Sequence, residues 1–517
     1  MAAGGTLSAE MAGQISETGV APSPTSGPRP QSRAPAFHVV LAIEIWERFG
    51  FYGMQAILLL YMIQKLGMRD AQANMLWGSF AAMTYAAPVV GGWLGDRVLG
   101  SRRTMVVGGI VLATGYLLLG ALSGTARALF VSMAVIAVGN GLFKPNSCNM
   151  VNIIYRGQDQ KLDVAFTIYY MSVNIGSTFS LFLVPLMQQY FGWAAAFMFC
   201  GAGLLLGVGG YFIRQRRLEA IGTAPDFRPL PWRHGLLVAG GAGVVIALMA
   251  RVFASTSIQG VLVVASGMVI ILVWMTVYAR AAAHERPGLR IMYLLTFQVA
   301  LYFVFYQQMV TSLTLFALRN VGKDFTLLGV RLFSMSAGQF QAFNPLWIML
   351  GTPLLITAYN WLGRRRADIS IAGKFVIGFF CVTLSFLAWW LSTVLSPSAY
   401  VSPWVMLFGY GPLSIGELMI NSLGLAAIAR YVPARISAFM AGCYYVLIGF
   451  AMYVGSIVAN MAAVDNASGL DAARTLMIYG GLFRTLAFMA GAATVVFALL
   501  LPVVRRWEGA SIGARRP

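Results

Sequence analysis

The segment from His38 to Gln64 reads HVVLAIEIWERFGFYGMQAILLLYMIQ, an apolar run interrupted by three charged residues, Glu44, Glu47 and Arg48. The run is longer than the roughly 20 residues that a helix needs to cross the hydrocarbon core of a bilayer. A charged side chain at the centre of such a helix costs about 2.5–3.5 kcal/mol on insertion scales, so it needs a partner or a function. The segment therefore predicts a transmembrane helix with its charged face turned into the protein.

The rest of the chain also has the composition of a membrane protein. Of its 517 residues, 59% are hydrophobic and 10% are charged, whereas about a quarter of the residues in a soluble domain are charged. The apolar runs are too long for the alternating strands of a β-barrel. They predict helices at 38–64, 75–98, 104–123, 128–153, 162–189, 193–213, 235–254, 257–280, 291–318, 342–363, 371–395, 402–430, 436–463 and 474–503.

These runs form two sets of six, and a further pair lies between them. The sequence thus predicts an all-α membrane protein of the major facilitator fold, with two six-helix bundles, an inserted two-helix hairpin and fourteen transmembrane helices. In such transporters the two bundles rock about a site near the midplane of the bilayer. The predicted units are a disordered cytoplasmic tail 1–36, a first bundle 37–217, a basic loop and hairpin 218–289, a second bundle 290–504 and a cytoplasmic tail 505–517.

The net charge of +19 comes mostly from basic residues in loops on one side of the predicted membrane, such as Arg214, Arg216 and Arg217. Short cytoplasmic loops accumulate Lys and Arg, so both termini are expected in the cytoplasm and the protein in the plasma (inner) membrane. The positions of the basic residues therefore indicate the membrane topology. We expect no nucleic-acid partner. The four cysteines have no metal-ligand spacing, so we expect unpaired thiols and no metal site.

Charges within the predicted spans are few. Glu44, Arg48 and Tyr52 share one face of the first helix, while Lys144 and Glu417 lie in the helices 128–153 and 402–430. With Glu47 the set carries three negative and two positive charges, so one added proton neutralises it, and a zwitterion leaves that balance unchanged. This predicts coupled movement of a proton and a zwitterionic solute. A self-satisfied ion cluster that only fixes the first helix is the alternative.

Several motifs resemble the proton-dependent oligopeptide transporter family, a branch of the major facilitator superfamily. The family's Glu-x-x-Glu-Arg-Phe-x-Tyr-Tyr-Gly element is similar to Glu44–Gly53, with Phe51 replacing the first tyrosine. Further similar stretches are Lys144-Pro145, 166–177, Phe343-Asn344-Pro345 and 416–422, the last without the family's Ser-Pro. The loop 91–103 resembles a motif of the whole superfamily, in which Asp96 and the arginines would form a cytoplasmic latch, and it does not indicate the substrate.

The resemblance implies that Glu44, Glu47, Arg48 and Lys144 form the proton-coupling group, with the proton as coupling ion and no cofactor. The chemistry of a peptide suits the same residues. Its carboxylate needs cations and hydroxyl donors, which Arg48, Lys144, Tyr52 and Tyr85 could supply. Its terminal ammonium needs oxygen acceptors, which Glu417, Asn174 and Asn344 could supply.

One position departs from the family. Some members place an Arg in the first helix and a Glu in the seventh as an extracellular gate, and the corresponding residues here are Gln55 and Gln307. We therefore predict a gate closed by amide hydrogen bonds and packing. Aromatic residues in the second half, Tyr302, Phe303, Tyr306 and Tyr444, either line a pocket for peptide side chains or only pack.

The predicted function is proton-coupled symport of di- and tripeptides by alternating access, with the protein acting as a monomer in the bilayer. The rival is a transporter of the same fold for another solute, such as a peptide-like drug, a modified amino acid or nitrate. An enzyme is not expected, because the sequence has no nucleophile and base constellation and no phosphate-binding loop. Internal charge pairs between two bundles also suit alternating access better than an open channel.

Overall fold

The computed structural model describes residues 33–365, 369–464 and 471–513, and these are almost entirely helical. The predicted tail 1–36 therefore lies mostly outside the described residues. The helices are α1 Ala34–Leu60, α2 Asp70–Leu94, α3 Ser101–Ala121, α4 Ala126–Ile154, α5 Asp159–Arg214, α6 Trp232–Phe253, α7 Thr256–Arg280, α8 Arg286–Tyr306, α9 Ser312–Asn320, α10 Phe343–Arg364, α11 Ile371–Leu395, α12 Trp404–Tyr431, α13 Ala434–Ala459 and α14 Ala472–Gly513. The two strands are β1 Asp324–Leu327 and β2 Val330–Ser334.

Within the described part of the chain, 11 helical segments are long and apolar enough to cross a membrane. One of them contains α5, which is divided into the stretches 159–191 and 193–214 at Gly192, where φ is 84° and ψ is 177°. Helices α1 and α2 are not among the 11, but their 27 and 25 residues exceed the roughly 20 that a crossing needs. Together these segments supply the predicted crossings, and the chain is a multi-pass membrane protein.

The helices form two bundles. Helices α1 to α5 pack mainly against one another, and so do α8 and α10 to α14. The bundles meet chiefly where α2 packs on α13 and where α10 packs on α5. The inserted hairpin lies outside both, with α6 on α4 and α7 on α13. We call the end that holds the start of α1 the terminal end, and the opposite end, with β1 and β2, the far end.

Two close approaches of glycine bring the helices of the first bundle together. A Cβ added to Gly91 of α2 would lie 1.9 Å from the carbonyl oxygen of Gly141 in α4. A Cβ added to Gly176 of α5 would lie 2.7 Å from the carbonyl oxygen of Ile45 in α1. Small residues of this kind allow transmembrane backbones to touch. They bring α2 close to α4, and α5 close to the charged segment of α1.

The predicted helix 291–318 lies within one membrane-crossing segment, Arg286–Asn320, but it is broken there, because α8 ends at Tyr306 and α9 begins at Ser312. Between them Thr311 has non-helical backbone angles, with φ of −102° and ψ of −98°. Its Oγ1 donates to the carbonyl of Gln307 at 2.8 Å, and Gln308 Nε2 donates to the carbonyl of Gly455 at 2.9 Å. Such side-chain bonds to the backbone compete with the helical ladder and satisfy the groups that the break exposes.

The structure also differs from the sequence prediction at the boundaries of both tails. Helix α1 begins at Ala34 instead of following residue 36, with a proline in its first turn, a position where the missing N–H costs nothing. Helix α14 continues to Gly513, so the predicted tail 505–517 is largely helical in its described part. Its extension packs on the second bundle, since the Tyr431 hydroxyl donates to Glu508 at 2.5 Å and Val504 is buried.

Candidate functional site

A cavity of about 620 Å³ lies between the two bundles. Its lining includes the predicted proton-coupling residue Glu44, the predicted gate residue Gln55 and every residue predicted to bind substrate: Arg48, Tyr52, Tyr85, Lys144, Asn174, Asn344 and Glu417. Of the predicted site residues, Glu47 and Gln307 are not part of the lining. The volume is in the range of pockets that enclose small organic ligands, about 300–1,000 Å³.

The three charges of α1 form one buried ion cluster. Arg48 Nε lies 3.1 Å from Glu44 Oε1 and 2.5 Å from Glu47 Oε2. Arg48, Glu44 and Glu47 are 4%, 1% and 0% exposed, respectively. Burial removes them from water at a high cost in solvation, which the pairing of opposite charges offsets only in part. The charge balance of the cluster would therefore change strongly if one carboxylate gained a proton or if a charged ligand bound beside it.

Neutral groups from other helices extend this cluster. Ser147 Oγ of α4 donates to Glu44 Oε2 at 2.8 Å and lies 2.7 Å from the hydroxyl of Tyr169 in α5. Asn140 Nδ2 donates to Glu47 Oε1 at 3.4 Å. Ser147 and Asn140 were not predicted from the sequence, although both lie within one turn of Lys144. Tyr169 belongs to the motif 166–177, and the sequence assigns it no role of its own.

Two cationic groups beside the cavity keep the capacity to bind a ligand. Lys144 Nζ lies 5.3 Å from the ring centroid of Tyr85 and has no ion-pair partner within the described ranges. Arg48 Nη2 is buried and has no hydrogen-bond partner among the same residues. Pro145 interrupts the backbone bonding of α4 directly after Lys144. We call Arg48, Lys144, Tyr52 and Tyr85 the cation pole.

The second bundle contributes a buried carboxylate to the same cavity. Glu417 of α12 is 8% exposed, and its Oε2 accepts a hydrogen bond of 2.8 Å from Asn344 Nδ2 of α10. Asn174 of α5 donates its Nδ2 to the carbonyl of Tyr170 at 2.9 Å, which leaves its Oδ1 to accept from a ligand. We call Glu417, Asn344 and Asn174 the acid pole.

Aromatic side chains line part of the wall between the poles. Phe303 and Tyr306 of α8 contribute to the lining, and the Tyr85 ring centroid lies 5.8 Å from that of Phe303. Tyr302 and Tyr444 are buried outside the lining, so the packing alternative holds for them. Two further tyrosines that were given no role from the sequence also line the cavity, Tyr170 and Tyr445.

The two predicted gate residues do not contact each other. Gln55 Nε2 donates to Gln341 Oε1 at 3.2 Å, and Gln307 Nε2 donates to Ser456 Oγ of α13 at 2.9 Å. Gln307 lies in the turn after α8 and faces α13, where a Cβ on Gly455 would come within 2.6 Å of its Cβ. Gln307 is thus bonded to α13, and the amide contact of Gln55 across the bundles is made by Gln341.

An ion pair that was not predicted from the sequence also joins the bundles at the far end. Arg319 of α9 binds Asp70 of α2 through two hydrogen bonds, Nη1 to Oδ2 at 2.5 Å and Nη2 to Oδ1 at 2.7 Å. Arg319 Nη1 also donates to the Tyr479 hydroxyl at 2.9 Å, and the Val464 backbone N–H donates to Asp70 at 3.0 Å. Both charged residues lie near predicted helix ends, where a charged side chain can reach water and so does not indicate a function.

The cavity extends in the other direction, to Asp96, two residues after the end of α2, and to Ala438 of α13. The expected latch between Asp96 and the arginines of the 91–103 loop is replaced by a contact in which Asp96 Oδ1 accepts from Asn149 Nδ2 at 3.0 Å. Asp226, in the loop before α6, accepts from the backbone N–H groups of Arg102 at 3.2 Å and Arg103 at 3.1 Å. The described contacts thus close the far end more tightly than the terminal end.

Two membrane-spanning bundles around a cavity with opposed charged poles define a transporter of the major facilitator type. A model of the POT family, PTR2, matches residues 102–476. Dipeptide and tripeptide permease B of Salmonella typhimurium is 36% identical over 474 residues, which cover 91% of this chain and 95% of the permease. Dipeptide and tripeptide permease A of Escherichia coli is 38% identical over 470 residues, which cover 90% of this chain and 91% of that one.

Solved structures agree with these matches. A crystal structure of tetrameric PepTSo2 superposes with a TM-score of 0.85 at 40% identity, covering 92% of this chain and 99% of that chain. A bacterial homologue of the human drug peptide transporters PepT1 and PepT2 superposes with a TM-score of 0.84 at 40% identity, covering 92% of this chain and 100% of that one. The chain belongs to the POT family, and it is not an enzyme.

Proposed function

We propose that this protein imports di- and tripeptides together with protons by alternating access, across the inner membrane and with both termini in the cytoplasm. The observation that carries the proposal is the pair of opposed poles on one cavity, one from each bundle. Arg48 and Lys144 present positive charge, and Glu417 presents negative charge. A peptide with free termini has the complementary charges. Permease names of the relatives point to the same substrate class.

The carboxylate of the peptide would bind at the cation pole. Arg48 Nη2 has no hydrogen-bond partner within the described residues, and Lys144 Nζ rests over a tyrosine ring instead of a carboxylate. Both can donate to a carboxylate without first losing an ion pair of their own. Tyr52 and Tyr85 add hydroxyl groups to the same side of the cavity. Charge-assisted hydrogen bonds of this kind are about twice as strong as neutral ones.

The terminal ammonium would bind at the acid pole, where Glu417 has a neutral partner, Asn344. Two chain lengths fit the same two poles because the extended backbone adds only about 3.3–3.6 Å per residue and water or side-chain movement can take up the difference. The aromatic wall with Phe303 and Tyr306 would then accept peptide side chains by shape and burial. Broad tolerance of peptide sequence follows from that arrangement.

The proton would act on the cluster of α1. Arg48 is shared between Glu44 and Glu47, so protonation of one carboxylate would release part of the guanidinium for the peptide carboxylate. Ser147 and Tyr169 form a short chain of hydroxyl groups that ends at Glu44. Peptide and one proton together would make the buried charges neutral, which is the least costly state to carry through a low-dielectric interior.

The far end would be the extracellular gate in its closed state. Its ties are the Asp70–Arg319 pair and the Gln55–Gln341 amide contact. Asp70→Asn should weaken that closure, so Gln55→Cys, in a background without the four native cysteines, should be labelled from the outside faster than the same variant with Asp70 intact. The matched control is Asp324→Asn, which removes a carboxylate from an exposed pair with Arg331. Equal labelling in both variants would contradict a gate at Asp70.

The alternative substrates differ in charge. A simple anion such as nitrate would gain from the cation pole but would meet Glu417 across the same cavity. A modified amino acid or a peptide-like drug would keep both termini and is harder to separate from a peptide. A mutant of the peptide transporter POT, 26% identical with a TM-score of 0.78, was crystallised in complex with alafosfalin. The poles favour zwitterions over anions.

The experiment uses proteoliposomes with an acidic exterior and follows uptake of labelled dialanine, with unlabelled trialanine and nitrate as competitors. We expect uptake above the equilibrium level, inhibition by trialanine and none by nitrate. Uptake that is unchanged when both the proton gradient and the membrane potential are removed would refute proton coupling. Absence of dialanine uptake together with nitrate uptake would refute the peptide assignment. The monomeric state is tested separately, by the mass of the purified protein in nanodiscs.

A further inference from the structure

The connection between α9 and α10 at the far end carries an exposed apolar hairpin that the transport site does not use. Strands β1 and β2 pair in antiparallel fashion, and Leu328 and Gly329 form the tip. Leu328 is 97% exposed. The other large apolar side chains that are exposed around the tip are Leu327, Val330, Leu332 and Phe333. Contiguous exposed apolar residues of this kind indicate a contact surface.

The backbone conformation at the tip is one that leucine rarely adopts. Leu328 has φ of 49° and Gly329 has φ of 81°. A two-residue hairpin tip with both φ values positive favours Asn-Gly or Asp-Gly, because a larger side chain is sterically disfavoured there. Leu328 is also the only residue other than glycine with positive φ within the described ranges. A bulky apolar residue thus occupies a strained, solvent-facing position where a small polar residue fits better.

The base of the hairpin is fixed by aromatic residues at the start of α12. The Phe325 and Phe333 rings stack at 4.6 Å, and the Trp404 ring lies edge-on to Phe325 at 5.1 Å. Trp404 Nε1 also donates to the carbonyl of Thr326 at 2.9 Å. The hairpin is therefore held beside the first turn of α12.

That turn is continuous with the surface that faces lipid. Trp404 stacks on Phe408 with ring centroids 6.2 Å apart, and Phe408 is 62% exposed one turn further along a membrane-crossing helix. Tryptophan is enriched where a transmembrane helix enters the headgroup region. The exposed basic residues Lys323 and Arg331 flank the apolar tip, and long basic side chains of this kind reach to headgroups while their stems stay in apolar surroundings.

We propose that the hairpin 324–334 is a membrane anchor whose tip, residues 327–330, inserts into the interfacial region of the leaflet at the far end. The partner is the lipid bilayer itself. The apolar tip would lie among the upper acyl chains, with Lys323 and Arg331 at the headgroups. The anchor goes beyond the proposed transport function, and it would hold in place the link between α9, which carries Arg319, and α10, which carries Asn344.

The experiment measures the depth of a nitroxide label on the full chain in proteoliposomes. Leu328→Cys is labelled after the four native cysteines are replaced, and collisions of the label with oxygen and with a water-soluble nickel chelate are compared by spin resonance. Phe408→Cys is the lipid-facing reference. Ala126→Cys, at the exposed first residue of α4 at the same end, is the aqueous reference.

We expect the label at position 328 to resemble the one at 408, with oxygen collisions favoured and nickel collisions several-fold lower than at 126. Leu328→Asn suits the turn better and removes the apolar tip, so a label at Leu332→Cys should gain nickel collisions in that background. A label at 328 that is as open to nickel as the one at 126 would overturn the proposal. So would protection from both reagents, which would place the tip against protein, such as a second copy of the chain.

Discussion

The cation pole and the acid pole differ in how their charges are balanced within the protein. In the cation pole Arg48 is already shared by two carboxylates of its own helix. In the acid pole Glu417 is buried with an amide partner and forms no ion pair among the described residues. Arg48 is thus paired within its own helix, whereas Glu417 is a buried charge whose balance must come from elsewhere.

This contrast indicates which pole depends more on the ligand. A buried carboxylate with only a neutral partner is costly, and an ammonium from the substrate would relieve that cost. The pairing at the cation pole can instead change, because a peptide carboxylate competes with Glu44 and Glu47 for the Arg48 guanidinium, and a proton on either glutamate weakens its hold. We therefore infer that the acid pole serves recognition, whereas the cation pole serves both recognition and coupling. Substitutions in each pole can separate these roles.

The largest effect is expected for Lys144→Ala, which removes the cation that has no ion pair in the described structure. Losing one partner of a buried charge contact costs about 2–5 kcal/mol, so proton-driven uptake of dialanine should fall by about 30-fold or more. Lys374→Ala is the matched control, since Lys374 Nζ also lies over a tyrosine ring, that of Tyr359 at 4.1 Å, but outside the cavity. Similar uptake by the two variants would show that Lys144 has no role in transport.

A smaller effect is expected for Glu417→Gln, which keeps the shape of the acid pole and removes its charge. A hydrogen bond to a charged group contributes about 1.5–3 kcal/mol, so dialanine affinity should fall roughly 10- to 100-fold. Calorimetry on purified protein measures the change. Glu508→Gln is the control, because Glu508 accepts from Tyr431 away from the cavity. Unchanged affinity in Glu417→Gln would contradict the proposal that Glu417 binds the ammonium of the peptide.

The smallest effect is expected for Tyr85→Phe, which removes one hydroxyl from the cation pole and retains the ring beneath Lys144. A single neutral hydrogen bond contributes about 1 kcal/mol, so affinity should fall about fivefold. Tyr359→Phe, beneath Lys374, is the control and should have no effect. If Tyr85→Phe leaves affinity intact while Tyr85→Leu lowers it, the ring acts through its contact with Lys144 and the proposed hydroxyl contact is wrong.

Much of the fold could be predicted because the requirements on a membrane-crossing helix are met within one segment of sequence. A helix in lipid must satisfy its own backbone and present about 20 apolar residues, so each crossing is visible as a run of sequence. The site was predictable for a related reason: charges such as Glu44, Arg48 and Glu417 are expensive within a span, so each indicates a task. All three line one cavity.

The features that could not be predicted from the sequence depend on contacts between distant segments. Asp70 and Arg319 lie near helix ends, where charges are inexpensive, and only the packing of the folded chain pairs them. The break after Tyr306 depends on the bond from Gln308 to Gly455 in α13, which no local pattern reveals. The bond from Gln307 to Ser456, in place of a contact with Gln55, likewise depends on how α13 packs. The apolar strands at the far end are short, and their tip lacks the usual Asn-Gly signal.

Substrate recognition in this account requires that the acid pole bind the free ammonium of a peptide while the cation pole binds its carboxylate. The most direct test is competition for labelled dialanine uptake by dialanine and by N-acetyl-dialanine, in the parent protein and in Glu417→Gln. We predict that acetylation weakens competition roughly 10- to 100-fold in the parent, the value of one charged hydrogen bond, and has little effect in Glu417→Gln. Equal competition by the free and the acetylated peptide in the parent would contradict the assignment of the two poles.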